Sequence, residues 1–231
     1  LNTHIKALLA PARYAVKTYW PAILAIQCLS LAVVFSYYQL DEARSCFASI
    51  AATKSQGGIF FVILSTVCSG GILPEVLKRI FSPQAAKPST PELLHQFLMW
   101  AGVGILVDKF YQLQSALFGQ QTDLFTLFCK ILFDQLLFAP FICIPLIISW
   151  FALYECRYNL HNWRRQLSVR NIVHRTLPLW MTSLCFWPFM LSAIYSLPAD
   201  LQFPLFLFAN AAYSILMIFI ARNQVAATNQ V

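Results

Sequence analysis

Apolar residues in this chain come in blocks of about twenty, rather than in the short alternations of half-buried strands or water-facing helices. The first, WPAILAIQCLSLAVVFSYY from 20 to 38, carries no charge. At about 1.5 Å per residue it spans the roughly 30 Å of a hydrocarbon core. A second block covers 57–77, where Gly70, Gly71 and Pro74 predict a loosened end and Glu75 a place near a surface. A third runs from 93 to 107 and on toward 118; it opens near His95 and is cut by Asp108 and Lys109. The fourth, 124–154, is longer than a crossing needs and predicts a tilt or a kink at Pro140 or Pro145. A fifth covers 177–197 with Trp180, Trp187 and Pro188, and the last covers 201–221 with Asn210 and Tyr213.

This pattern predicts an all-α fold: a polytopic transmembrane helical bundle of about six helices, forming one domain over residues 1–231. The alternative has four or five full crossings, with the third or fifth block re-entrant or interfacial. Six crossings put both ends on one side, and the cations follow that arrangement. Twelve fall on the near side: Lys6, Arg13, Lys17, Lys78, Arg79, Lys87, Arg157, Arg164, Arg165, Arg170, Arg175 and Arg222. Three fall on the far side, Arg44, Lys54 and Lys109, and Lys130 stays inside. By the positive-inside rule the termini and the basic connection face the cytosol or its organellar equivalent.

Composition agrees with a lipid-dissolved chain, since 59% of residues are hydrophobic and only 11% charged, against about a quarter charged in an average soluble domain. The net charge of +7 comes mainly from a basic N-terminal arm, 1–19, and from the connection over 155–175. The latter, rich in aromatics, is expected to be an interfacial loop or short helix in which Arg157, Arg164, Arg165 and Arg170 meet lipid headgroups, anionic ones above all. Nucleic acid is not an expected partner. Trp20, Trp150, Trp180, Tyr37, Tyr38, Tyr154 and Tyr195 lie near block ends and are assigned to the interfacial belts.

Seven cysteines and four histidines are scattered without ligand spacing. There is no nucleophile elbow, phosphate loop, dinucleotide fingerprint or HExxH. No catalytic residue, metal or cofactor is therefore expected, and the chain is not expected to be an enzyme. The glycines of the third block, Gly102 and Gly104, predict close helix contact or bending.

What remains is polarity inside the bundle. Lys130 and Asp134 are four apart and share a helix face on which they can meet, while Gln135 turns about 100° away. Asp108, Lys109, Gln112, Gln114 and Asn210 are candidate partners. Such a set either fixes helix packing or lines a polar pathway.

In KILFDQLLFAP, residues Lys130, Asp134, Gln135, Ala139 and Pro140 resemble the K-x-x-x-D-Q-x-x-x-A-P element of the Mpv-seventeen and peroxisomal membrane protein (PMP twenty-two) family. Asn162, Trp163 and Leu167 resemble its N-W-x-x-x-L, and Trp187, Pro188, Tyr195 and Pro198 follow the order of its W-P, aromatic and proline positions. Gly102, Tyr111 and Gly119 resemble its G…WY…G segment. The likeness covers about 53–218; Glu75, Phe110, Ser115, Gln202 and Tyr213 depart from the family's residues.

The resemblance implies a small organellar membrane protein, of the mitochondrial inner membrane or, alternatively, of peroxisomes or another organelle. It implies a weakly selective channel or transporter for small solutes, in which Lys130, Asp134, Gln135, Asp108 and Asn210 form the polar network. Gly70, Gly71, Gly102, Pro140, Trp187 and Pro188 would shape the helices. The competing expectation is an accessory or scaffold subunit of a larger membrane complex, touching lipids, neighbouring subunits or copies of itself. The chain begins with Leu rather than Met, which is compatible with removal of a targeting segment.

Overall fold

A computed structural model of the protein describes the backbone of residues 2–81 and 87–228, and side chains at 17, 19–80 and 87–214. The side chains of Lys6, Arg13 and Arg222, on which the charge tally partly rests, lie outside the described residues. The described chain is helical throughout: α1 (Asn2–Gln39), α2 (Asp41–Thr66), a π-helical segment π1 (Val67–Ile72) and α3 (Leu73–Phe81). Then follow α4 (Thr90–Phe118), α5 (Leu124–Phe133), a second π-helical segment π2 (Asp134–Cys143) and α6 (Ile144–Glu155). The remainder comprises α7 (Leu160–Gln166), α8 (Val169–Ser183), α9 (Trp187–Tyr195) and α10 (Ala199–Thr228).

Four stretches among the described residues are long and apolar enough to cross a bilayer: Tyr19–Gln39, Asp41–Ile80, Thr90–Phe118 and Leu124–Glu155. A fifth arises if α8 and α9, bent by 63° at their junction, count as one span. The protein is thus a polytopic helical membrane protein with four, or up to five, candidate spans in that region. Its exposed surface carries Phe60, Phe125, Phe141 and Phe189, side chains that are at home against acyl chains and a liability in water.

Several segments differ from their expected form, each for a physical reason. The 41–56 region, expected as a connection, is helical, and its half-buried positions Ala43, Phe47, Ile50, Ala51 and Lys54 recur at helical spacing against the bundle. Its axis breaks at Gly58, with φ 49 and ψ −129, a conformation that side chains with a Cβ avoid. Asp108 and Lys109 do not cut the third block. The α4 helix runs through them from Ser89, where a capping box with Glu92 satisfies its first turn, and Asp108 finds partners of its own.

The expected kink at Pro140 is taken up by π2. In an i→i−5 ladder the carbonyl facing position 140 belongs to Gln135, and proline has no N–H to give it. Trp180 Nε1 donates to that carbonyl instead, at 2.7 Å. Gly70 and Gly71 lie within π1, so the loosening anticipated there is a widened turn rather than an end. Pro188 sits in the first turn of α9, just past the bend, and Trp187 packs against Phe186, Phe206 and Tyr213.

The glycine that permits close helix approach in the third block is Gly104. A Cβ there would collide with Thr66 of α2, whereas one on Gly102 would meet nothing within 4 Å. The helix-shaping role expected of Gly102 is not seen, because that position faces outward.

Gly104→Val is expected to destabilise the protein by about 1–3 kcal/mol through overpacking of α2 on α4. Gly102→Ala should be neutral or stabilising, by up to about 1 kcal/mol, from helix propensity. Thermal unfolding in detergent measures both.

A second expectation concerns acid. Asp123 caps α5, accepting from the N–H groups of Phe125 and Thr126 at 3.1 Å, and the Thr126 hydrogen bonds hold its carboxyl below the usual value of 3.8. The cap's contribution is therefore complete above the unfolded value and lost as pH falls through the lower folded one. Asp123→Asn should remove that acid dependence while preserving the cap, as read from melting temperature against pH.

Candidate functional site

The buried polar groups are divided among separate places, and the most enclosed lies where α4, α5, π2 and α9 meet. Asp134 Oδ1 accepts from Gln135 Nε2 at 2.9 Å, and Oδ2 accepts from the Tyr195 hydroxyl at 2.8 Å. Tyr195 oxygen in turn accepts from Gln114 Nε2 at 2.8 Å. Lys130 Nζ stands over the Tyr195 ring, 5.9 Å from its centre. Lys130 is 1% exposed and Tyr195 is 0% exposed.

The direct contact expected between Lys130 and Asp134 is not formed; among the described residues neither makes an ion pair. Tyr195 separates them, holding the carboxylate by its hydroxyl and the ammonium by its ring face. Gln135, expected to turn to a different neighbour, bonds the adjacent carboxylate, while its backbone carbonyl takes the Trp180 indole. The amide oxygens of Gln114 and Gln135, whose nitrogens donate within the cluster, are buried without a hydrogen-bond partner. The cluster therefore retains unpaired acceptors. Such a site can bind water or the polar groups of a small solute.

Asp108 belongs to a different place. Its Oδ1 lies 3.0 Å from Lys54 Nζ, its Oδ2 accepts from Gln112 Nε2 at 2.7 Å, and Lys109 donates to Gln112 Oε1 at 3.1 Å. A cleft of about 270 Å³ opens there at the Gly58 break and is also lined by Asp200. Along α4, six residues separate Asp108 from Gln114, about 9 Å of helix rise.

Asn210 is in a third place, beside π1. A Cβ on Gly70 would lie 2.8 Å from Asn210 Nδ2 and 2.5 Å from the Trp100 ring. Trp100 precedes Gln114 by fourteen residues, about 21 Å along α4, so Asn210 is not part of the Lys130 cluster. The single network expected of Lys130, Asp134, Gln135, Asp108 and Asn210 is in fact three.

A fourth polar contact joins α4 to α6. His95 Nε2 lies 2.9 Å from the Trp150 carbonyl, Trp150 Nε1 donates to the His95 carbonyl at 2.9 Å, and the rings stack. Since a carbonyl only accepts, Nε2 carries the hydrogen, and Nδ1, 3.0 Å from the Tyr158 hydroxyl, accepts in the neutral ring. The pattern missed this clamp, as well as the inward placement of Tyr195 and Trp180, because aromatics near block ends are also what an interfacial belt looks like. Among the described residues no group of His, Cys, Asp and Glu could hold a metal. No family model, curated protein or solved structure matches the chain.

A double-mutant cycle tests whether Lys130 and Asp134 are coupled through Tyr195. Lys130→Met and Asp134→Asn, made singly, should each cost about 3–5 kcal/mol by leaving one buried charge uncompensated. The double variant should cost less than their sum by at least about 1 kcal/mol in thermal or denaturant unfolding. Additive effects would mean that the two groups are energetically independent.

Proposed function

We propose that the protein is a weakly selective, gated pathway for small hydrophilic solutes across an organellar membrane, most simply the mitochondrial inner membrane, with a peroxisomal location as the alternative. One observation carries the reading. A charged cleft opens at the break in α2, and the helix that lines it, α4, continues to Gln114 and the cluster of Lys130, Asp134 and Tyr195. Polar groups at such depth are costly in a bilayer, and those with unpaired acceptors lower the dehydration cost of a passing solute. In this reading Lys54, Asp108 and Lys109 form the vestibule. Tyr195, with Lys130 on its face and Asp134 at its hydroxyl, forms the closed constriction.

The likeness of KILFDQLLFAP and the later N-W and W-P positions to the Mpv-seventeen and PMP twenty-two family supports the same assignment. In the six-crossing arrangement of that reading, α10 makes the last crossing and both termini share the cytosolic or matrix-equivalent face. A second reading, an accessory or scaffold subunit, is favoured by the near-complete burial of Lys130 and Tyr195, which is also what a fixed packing lock requires.

Purified protein in liposomes should release small uncharged and charged hydrophilic solutes, and Lys130→Met or Asp134→Asn should change rate or charge preference at least severalfold. No flux from folded protein would reject the pathway, and flux indifferent to both substitutions would reject the roles given to Lys130 and Asp134 in it. Stoichiometric co-migration with a larger complex in mild detergent, together with absent flux, would establish the scaffold reading instead.

A further inference from the structure

We propose that the corner between α6 and α7 binds the phosphodiester headgroup of an anionic membrane phospholipid. A cleft of about 480 Å³ lies there, lined by Glu155, Cys156, Arg157, Asn162, Arg165 and Gln166. It is an open surface recess rather than an enclosed pocket, accessible to a headgroup from the membrane surface. The position is independent of the Lys130 cluster and of the solute pathway.

Charge defines what the cleft accepts. Its single carboxylate, Glu155, is already engaged by Arg175 at 3.3 Å. Arg157 and Arg165 make no side-chain hydrogen bond or ion pair with any described residue. Two arginines without internal partners line one cleft, and a pair of guanidinium forks suits the oxygens of a phosphate. Asn162, Arg165 and Gln166, at i, i+3 and i+4 of α7, share the face that supplies the site. Trp163 Nε1, donating to the Ser149 carbonyl at 2.9 Å, holds α7 against α6.

Backbone geometry supplies an independent argument. Arg157 and Tyr158 both adopt left-handed conformations, with φ 50 and 60, at a helix end where glycine is the usual residue. For Tyr158 the reason is visible, because its hydroxyl reaches His95 Nδ1. Arg157 has no internal partner that its side chain serves, and its left-handed turn leaves it in the lining of the cleft. Strain of this kind persists where the conformation has a use.

Depth favours a lipid over free phosphate. The apolar span Leu124–Glu155 ends at the cleft, which puts the guanidinium groups at headgroup level. At that depth the ligand nearest to hand is a lipid headgroup, which the membrane supplies at high local concentration.

The test uses the full chain in nanodiscs of phosphatidylcholine containing a minority of phosphatidylglycerol, with retained lipid read by native mass spectrometry. Phosphatidylglycerol should remain bound through delipidation. Arg157→Gln combined with Arg165→Gln should reduce its retention about thirtyfold, as expected for two lost basic contacts. The charge-matched pair Lys78→Gln and Lys87→Gln, outside the cleft lining, should reduce it clearly less. Equal losses from the two pairs would overturn the site in favour of diffuse surface charge.

Arg157→Gly separates a ligand role from a structural one. Glycine relieves the left-handed turn, so melting temperature should hold or rise while lipid retention falls. A fall in melting temperature with lipid retention intact would overturn the assignment. So would displacement of the phospholipid by millimolar inorganic phosphate, which would make the site one for soluble phosphate.

Discussion

An ammonium and a carboxylate are enclosed in the same bilayer-spanning bundle, and one tyrosine stands between them. Removing either ion from water costs several kcal/mol after relaxation, more than any single contact in the cluster returns. Asp134 recovers much of that cost through bonds from Gln135 and Tyr195, since hydrogen bonds to charged groups contribute about 1.5–3 kcal/mol each. Lys130 has the Tyr195 ring, and a desolvated cation–π contact contributes about 2 kcal/mol. The ledger for the lysine closes only if the nearby carboxylate contributes across the ring. Lys130 is thus the member whose burial depends on the whole arrangement, and the helices that enclose it are held to one packing.

Tyr195 reaches that position because the chain changes direction before it. The α8 and α9 helices meet at 63°, with Pro188 in the first turn after the bend, and α9 enters the bundle with Met190, Leu191, Ile194 and Tyr195 fully covered. On the opposite side π2 carries Asp134 and Gln135. Its cost is the carbonyl that Pro140 leaves free, and Trp180 of α8 meets that carbonyl. The arms of the bent pair therefore serve the same segment: α8 through Trp180 repairs its backbone, and α9 through Tyr195 bonds its side chain. A change in the bend angle would disturb both contacts together.

Block length and charge made the helical membrane class legible, because lipid imposes a length and a polarity that few soluble folds imitate. Lys130, Asp134 and Gln135 were legible as buried polar residues for the same reason. Their partners were not. Lys130 and Asp134 do stand one α-helical turn apart, the Asp134 N–H reaching the Lys130 carbonyl, but Tyr195 of a distant helix comes between their side chains, and i, i+4 spacing says nothing of that. Tyr195 and Trp180 resemble interfacial aromatics by position, and only the bend and the π segment turn them inward. Gly102 and Gly104 look alike in AGVGILVDK, yet Thr66 lies against one of them alone. Asp108 and Asn210 have the right chemistry for the cluster, but helix rise along α4 separates them from it.

Broken helices and polar groups coincide throughout this molecule, and the bilayer gives the reason. Irregular backbone at membrane depth is tolerated only when buried in protein or facing a wet cavity. The Gly58 break borders the cleft of Lys54 and Asp108, π1 lies against Trp100 and Asn210, and π2 contains Asp134 and Gln135. A uniform α-helix would satisfy its own backbone and give these side chains no neighbour of matching polarity. Each break instead frees or redirects groups that a neighbouring helix then meets, as Trp180 does at Gln135. Such contacts are few and local, so they can be exchanged for contacts to water or solute without unfolding the surrounding α-helical turns. That makes the breaks, rather than the long apolar spans, the places where the bundle is least committed to one set of contacts.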